Sequence, residues 1–76
     1  MVQSITKSIY RFVTPEAVLE FVEQNLYTNQ VLIYHSSGEG KFCVTGMIDI
    51  PLIGGEVQIY KGHASALKQE LIKLNF

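Results

Sequence analysis

A chain of 76 residues has room for one small domain, which would span 1–76, and its single cysteine excludes an internal disulfide. The formal net charge of −1 argues against a general binder of polyanions, because such proteins carry an excess of basic residues. With 47% hydrophobic and 17% charged residues, a domain this small is expected to expose apolar surface. A homo-oligomer is the simplest way to bury that surface, and we expect a dimer.

The sequence also bears on location. Residues 1–13 have neither the basic start nor the apolar centre of a leader peptide. No apolar run approaches the ~20 residues that a membrane-spanning helix needs. One thiol is compatible with a reducing compartment. We therefore expect a cytoplasmic protein without a membrane segment.

The first part of the chain predicts a strand followed by a helix. β-branched and aromatic residues dominate 4–13, which indicates a strand at the edge of a sheet. A helix over 15–25 is predicted because Thr14 can cap it and Pro15 suits its first position. Its apolar residues recur at helical spacing: Ala17, Val18, Phe21 and Val22.

The stretch 30–61 predicts three strands in a row. They cover 30–35, 41–50 and 56–61, and two short glycine-containing loops separate them. The second of them alternates cleanly, with Phe42, Val44, Gly46, Ile48 and Ile50 on one side. A final helix is predicted to begin after Gly62, with an apolar stripe of Ala64, Leu67, Leu71 and Leu74.

These elements predict a two-layer α+β sandwich in the order β-α-β-β-β-α. Short loops favour antiparallel neighbours, and two helices with single apolar stripes are expected to pack on one face of the antiparallel sheet. The residues expected to face the helices are Val31, Ile33, Phe42, Val44, Ile48, Val57 and Ile59. The other face would be open and would carry Leu32, Tyr34, Cys43, Thr45, Met47, Gln58 and Tyr60, with Tyr10 and Phe12 as further candidates.

That open face is more apolar than a sheet surface in contact with water. Aromatic residues and methionine are enriched at protein interfaces, so we predict an interface through Leu32, Tyr34, Met47 and Tyr60. The first hypothesis is a small non-enzymatic interaction or regulatory module that self-associates through this face and can also dock to another protein. The alternative is that the first strand or the loops cover the face.

The second hypothesis is a nucleic-acid-binding module. Aromatic side chains on a sheet with basic neighbours can stack on single-stranded nucleic acid. The residues of this type are Lys7, Tyr10, Arg11 and Lys41, together with Tyr34 and Tyr60.

The third hypothesis is a small hydrolase or nuclease that uses His35 or His63. Neither histidine stands in a ligand or nucleophile motif with Cys43, so we expect no metal and no cofactor. The glycines of 37–41 precede a strand rather than a helix and indicate a turn, not a phosphate loop. A non-enzymatic role is favoured over an enzymatic one.

Overall fold

The computed structural model describes residues 9–73, with side chains described for 9–70. The chain has a mixed α+β fold with four antiparallel strands and two helices, as the sequence predicts. The elements are β1 (Ile9–Phe12), α1 (Pro15–Asn25), β2 (Gln30–Ser36), β3 (Lys41–Thr45), β4 (Glu56–His63), a 3₁₀ turn (Ala64–Ala66) and α2 (Leu67–Lys73). The part of the first predicted strand before Ile9 lies outside the described residues, as do the side chains expected to complete the last apolar stripe.

The helix α1 has the bounds predicted from its capping residues. Thr14 has an extended backbone, and its hydroxyl accepts a hydrogen bond of 3.2 Å from the Ala17 N–H. This bond satisfies one of the N–H groups that a helix leaves unpaired at its start. At the other end, the Leu26 N–H donates to the Val22 carbonyl over 2.9 Å. Val18 and Val22 form its buried face.

The hairpin between β2 and β3 also follows the prediction. Gly40 has φ 67°, a left-handed conformation that glycine adopts without a steric penalty. Its N–H donates to the Ser36 carbonyl over 2.8 Å and closes the turn. The resulting register places Tyr34 opposite Cys43 and Leu32 opposite Thr45.

The strand order β1-β3-β2-β4 differs from the predicted meander, in which 41–50 and 56–61 were expected to be neighbours. β3 ends at Thr45, and β4 pairs with the other side of β2. The connection 46–55 therefore has to pass from one side of β2 to the other. Ile48, Ile50 and Leu52 on this connection pack against the sheet. Their alternation therefore buries apolar side chains against the sheet face and does not extend β3.

One hydrophobic core contains residues of both helices and of one face of the sheet. It joins buried residues of α1, β2, β3, the 3₁₀ turn and α2: Val18, Val22, Val31, Ile33, Val44, Ala64 and Leu67. Each fully buried aliphatic side chain contributes about 1.5–3 kcal/mol to folding. Phe42 and Ile59 pack against this core, in agreement with the prediction. Val57 lies on the same face of the sheet but is 62% exposed, and Ile48 packs on the opposite face.

A second core cluster lies on the opposite face of the sheet. Leu32, Tyr34 and Cys43 are buried there, and Ile9 and the connection 46–55 pack against them. The sequence led us to expect an open surface at this place. The difference arises because an extended segment with alternating apolar residues can lie across a sheet as readily as it can form a strand within it.

Candidate functional site

The four residues predicted to form an interface are not brought together on one surface. Leu32 and Tyr34 are only 2% and 4% exposed, because they lie beneath the connection 46–55. Met47 belongs to that connection and is half-buried. Tyr60 packs against the helix-side core instead, since its partner in the register is Ile33.

A shallow groove of about 260 Å³ lies beside the second cluster. Its lining is mostly apolar and consists of Ile9, Tyr34, Thr45, Met47, Ile50, Pro51, Ile53 and Glu56. Burial raises the pKa of Tyr34 to about 12, with a smaller contribution from Cys43. Burial also raises the pKa of the Cys43 thiol above its ordinary value. Both groups are therefore neutral near pH 7, and neither is an activated nucleophile.

The two histidines considered for catalysis occupy structural positions. The ring of His35 contacts the ring of Phe42, with centroids 4.9 Å apart, while Cys43 points to the other face of the sheet beside Tyr34. His63 Nδ1 lies 2.7 Å from Ser65 Oγ and accepts from the Ser65 N–H over 3.3 Å, which caps the 3₁₀ turn. Within 9–70, no three His, Cys, Asp or Glu side chains are grouped closely enough to hold a metal ion.

The residues considered for nucleic-acid binding are divided between the two faces of the sheet. The ring of Tyr10 lies 4.6 Å from that of Phe21 on the helix side. Arg11, the next residue along β1, is on the opposite face and forms an ion pair with Glu39 over 3.0 Å. Lys41 is exposed at the start of β3, and Lys7 lies outside the described residues. Tyr34 is buried, so the expected row of tyrosines is not present on either face.

The outer edge of β4 is the surface that the sequence did not indicate. Among the described residues, this strand pairs on one side only, with β2. At its two ends, the Ser37 N–H donates to the Gly55 carbonyl over 2.9 Å, and the Ala64 N–H donates to the Asn29 carbonyl over 2.7 Å. Hydrogen-bonded pairs alternate with non-hydrogen-bonded pairs in an antiparallel ladder.

This alternation identifies the residues whose backbone groups point away from β2. A register shift between Ile33 and Tyr34 makes Ile59 an extra residue on β4, a β-bulge. When the alternation is followed inward from either end of β4, the same residues are found to point away from β2. The outward-directed positions are Glu56, Gln58, Lys61 and His63. Two of their polar groups already have partners, since the Glu56 N–H donates to Ile53 and the His63 carbonyl accepts from the Tyr60 hydroxyl.

One sequence signal could have located this edge. Gly46 falls inside the predicted strand 41–50, and Pro51 directly follows it. If the strand ends at Gly46, the connection to 56–61 becomes long enough to cross β2. A crossing connection places 56–63 on the far side of β2 as an edge strand. The apolar alternation through Ile50 hid this signal.

No helix in the described part of the chain is long and apolar enough to cross a membrane. Comparison with known proteins gives no relative: the chain matches no protein-family model, no curated protein and no solved structure.

Proposed function

We propose that this chain is a small cytoplasmic, non-enzymatic interaction module that self-associates, and that the outer edge of β4 is its docking surface. The fold proposed for the module is a sheet with both helices on one face. This arrangement is supported by the shared core of Val18, Val22 and Leu67 with Ile33 and Val44.

The observation that carries the proposal is that β4, among the described residues, pairs on one side only. It is the longest strand described, with eight residues, and its outward backbone groups can form a ladder with a further strand. Val57 adds an apolar side chain that is 62% exposed beside this edge.

The solution mass of the chain tests the proposal directly. Light scattering across a dilution series should give a dimer that dissociates as the concentration falls. Gln58→Pro removes an outward-directed N–H without removing a hydrogen bond to β2, so this variant should remain folded and become monomeric.

Val57→Lys provides a second edge variant that keeps every backbone donor. It places a charge beside the edge and should also weaken the dimer. Circular dichroism shows whether both variants remain folded. A wild-type chain that is monomeric at all concentrations, or folded variants that dimerise as strongly as the wild type, would overturn the proposal.

A further inference from the structure

We propose that two copies of this chain pair antiparallel through β4 about a two-fold axis at Gln58, with Glu56 of each copy opposite Lys61 of the other. This inference rests on the proposed docking edge and specifies its partner and its register. A two-fold interface is self-complementary, so each contact occurs twice.

The direction of the backbone groups limits the registers that are available. A hydrogen-bonded pair forms only between residues that both point outward, which are Glu56, Gln58, Lys61 and His63. Pairing Gln58 with itself places Lys61 opposite Glu56 of the second copy. The Lys61 N–H can then donate to the Glu56 carbonyl, although the Glu56 N–H is retained by Ile53.

The bulge at Ile59 does not disturb this register. On the inner side, the interval from Gln58 to Lys61 already matches the two-residue interval from Tyr34 to Leu32 on β2. On the outer edge of β4, the segment from Gln58 to Lys61 can therefore pair with the two-residue segment from Gln58 to Glu56 of a second copy. The side chains of Glu56 and Lys61 project from the same face of the sheet, the one that carries Tyr34, so they can contact each other between the two copies.

Charge complementarity distinguishes this register from its neighbours. It places two opposite charges together at each end of the paired segment, and directly opposed charges of opposite sign stabilise antiparallel pairs. A register centred on Tyr60 would place Lys61 opposite Gln58, and one centred on Lys61 would place two lysines together. The second cross-strand pair would be Val57 with Tyr60, an apolar contact on the helix-side face.

Two features of β4, its lysine and its bulge, are typical of edge strands that do not pair with another chain. Here, however, the lysine lies opposite a carboxylate in the proposed pair. The Glu56 carboxylate accepts from the Ile53 N–H over 3.0 Å through one oxygen, which fixes its position and leaves the second oxygen for Lys61 of the other copy.

Charge exchange tests the register. Glu56→Lys alone and Lys61→Glu alone each place like charges together and should raise the dimer dissociation constant by about tenfold. An equimolar mixture of the two single variants places opposite charges together again, as does the double variant. Both should return to within about threefold of the wild-type dissociation constant.

Cross-linking provides an independent measurement. In a Cys43→Ser background, Gln58→Cys should form an intermolecular disulfide under mild oxidation, because hydrogen-bonded partners lie about 5.5 Å apart at Cα. Val57→Cys and Tyr60→Cys are matched controls for the neighbouring registers and should cross-link far more slowly.

The outcomes separate this inference from the proposed function. A wild-type dimer without charge rescue, or with faster cross-linking at Val57 or Tyr60 than at Gln58, overturns the register and leaves the docking edge in place. A wild-type monomer overturns both. Charge rescue together with preferential cross-linking at Gln58 supports the register.

Discussion

Tyr34 and Cys43 lie opposite each other on β2 and β3, and their side chains belong to the same buried cluster. Both side chains are buried beneath the connection 46–55. The sequence predicted that both residues lie on an open face of the sheet, whereas the structure places them in the interior of the domain.

This pair predicts a loss of stability in alkaline solution. The pKa of Tyr34 is 10.0 in its ordinary state and about 12 in the folded chain, so the folded chain holds its proton more strongly. Stability from this group is complete below pH 10 and is lost as the pH rises toward 12. The raised pKa of Cys43 has the same sign and acts from about pH 9 upward.

Urea unfolding from pH 8 to pH 11.5 measures this effect. The free energy of unfolding of the wild type should fall across the alkaline range, and that of Tyr34→Phe should fall less steeply. Equal slopes for the two proteins would show that Tyr34 does not couple folding to proton binding.

The connection 46–55 should control access to the buried thiol. Ile50→Ala removes an apolar contact above the second cluster and should lower the free energy of unfolding by about 1–2 kcal/mol, less than for a fully buried isoleucine. A thiol reagent should then modify Cys43 faster than in the wild type, in which this residue is 1% exposed.

Ile53→Ala is the matched control for this prediction. Ile53 belongs to the same connection but is 70% exposed, so its truncation should change stability by less than about 0.5 kcal/mol. Equal modification rates for Ile50→Ala, Ile53→Ala and the wild type would contradict a covering role for Ile50.

Gly62, the glycine of β4, lies close to the ring of Tyr60, so a side chain at this position should be destabilising. A Cβ at this position would lie 3.0 Å from the hydroxyl and 3.3 Å from the Cζ of Tyr60. That hydroxyl donates to the His63 carbonyl over 2.7 Å. Gly62→Ala should therefore displace the ring and lower the free energy of unfolding by about 1 kcal/mol or more.

Gly54→Ala is a suitable comparison, because a Cβ there would meet nothing within 4 Å. Thermal or urea unfolding of the two variants should place Gly54→Ala close to the wild type and Gly62→Ala clearly below it. Similar stabilities would show that the Tyr60 ring moves aside without cost.

The divided positions of the tyrosines predict no salt-sensitive binding of nucleic acid. Tyr10 contacts Phe21 on the helix side, whereas Arg11 lies on the other face in an ion pair with Glu39. Fluorescence anisotropy with short single-stranded RNA and DNA at about 50 mM and about 200 mM salt measures this. Binding that weakens steeply with salt and is lost in Arg11→Ala with Lys41→Ala would revive the nucleic-acid hypothesis.

Local interactions explain why several elements could be predicted from the sequence. Thr14 and Pro15 specify the start of α1 through groups only a few residues away. Gly40 specifies the hairpin through its own conformational freedom. The apolar residues Val31, Ile33 and Val44 alternate with a period of two, which places them together on the core side of any sheet that contains them.

The pairing of β4 could not be predicted in the same way. An alternating segment gains the same apolar burial as a strand within a sheet or as an extended chain across one. Which of these forms depends on whether a sheet face is available, and that face is created only when β1, β3 and β2 have assembled. Ile48 and Ile50 therefore have the spacing expected of a strand, although in the structure they pack across the second cluster.

The sequence by itself determined the mixed α+β class, α1, the β2–β3 hairpin and the core-facing side of β2, because each depends on interactions between near neighbours or on a short period. Only the tertiary structure decided that 46–55 covers Tyr34 and Cys43 and that β4 lies at the end of the sheet formed by the described residues. These features depend on contacts between segments that are distant along the chain, and a local pattern does not by itself select which distant surface a segment will meet.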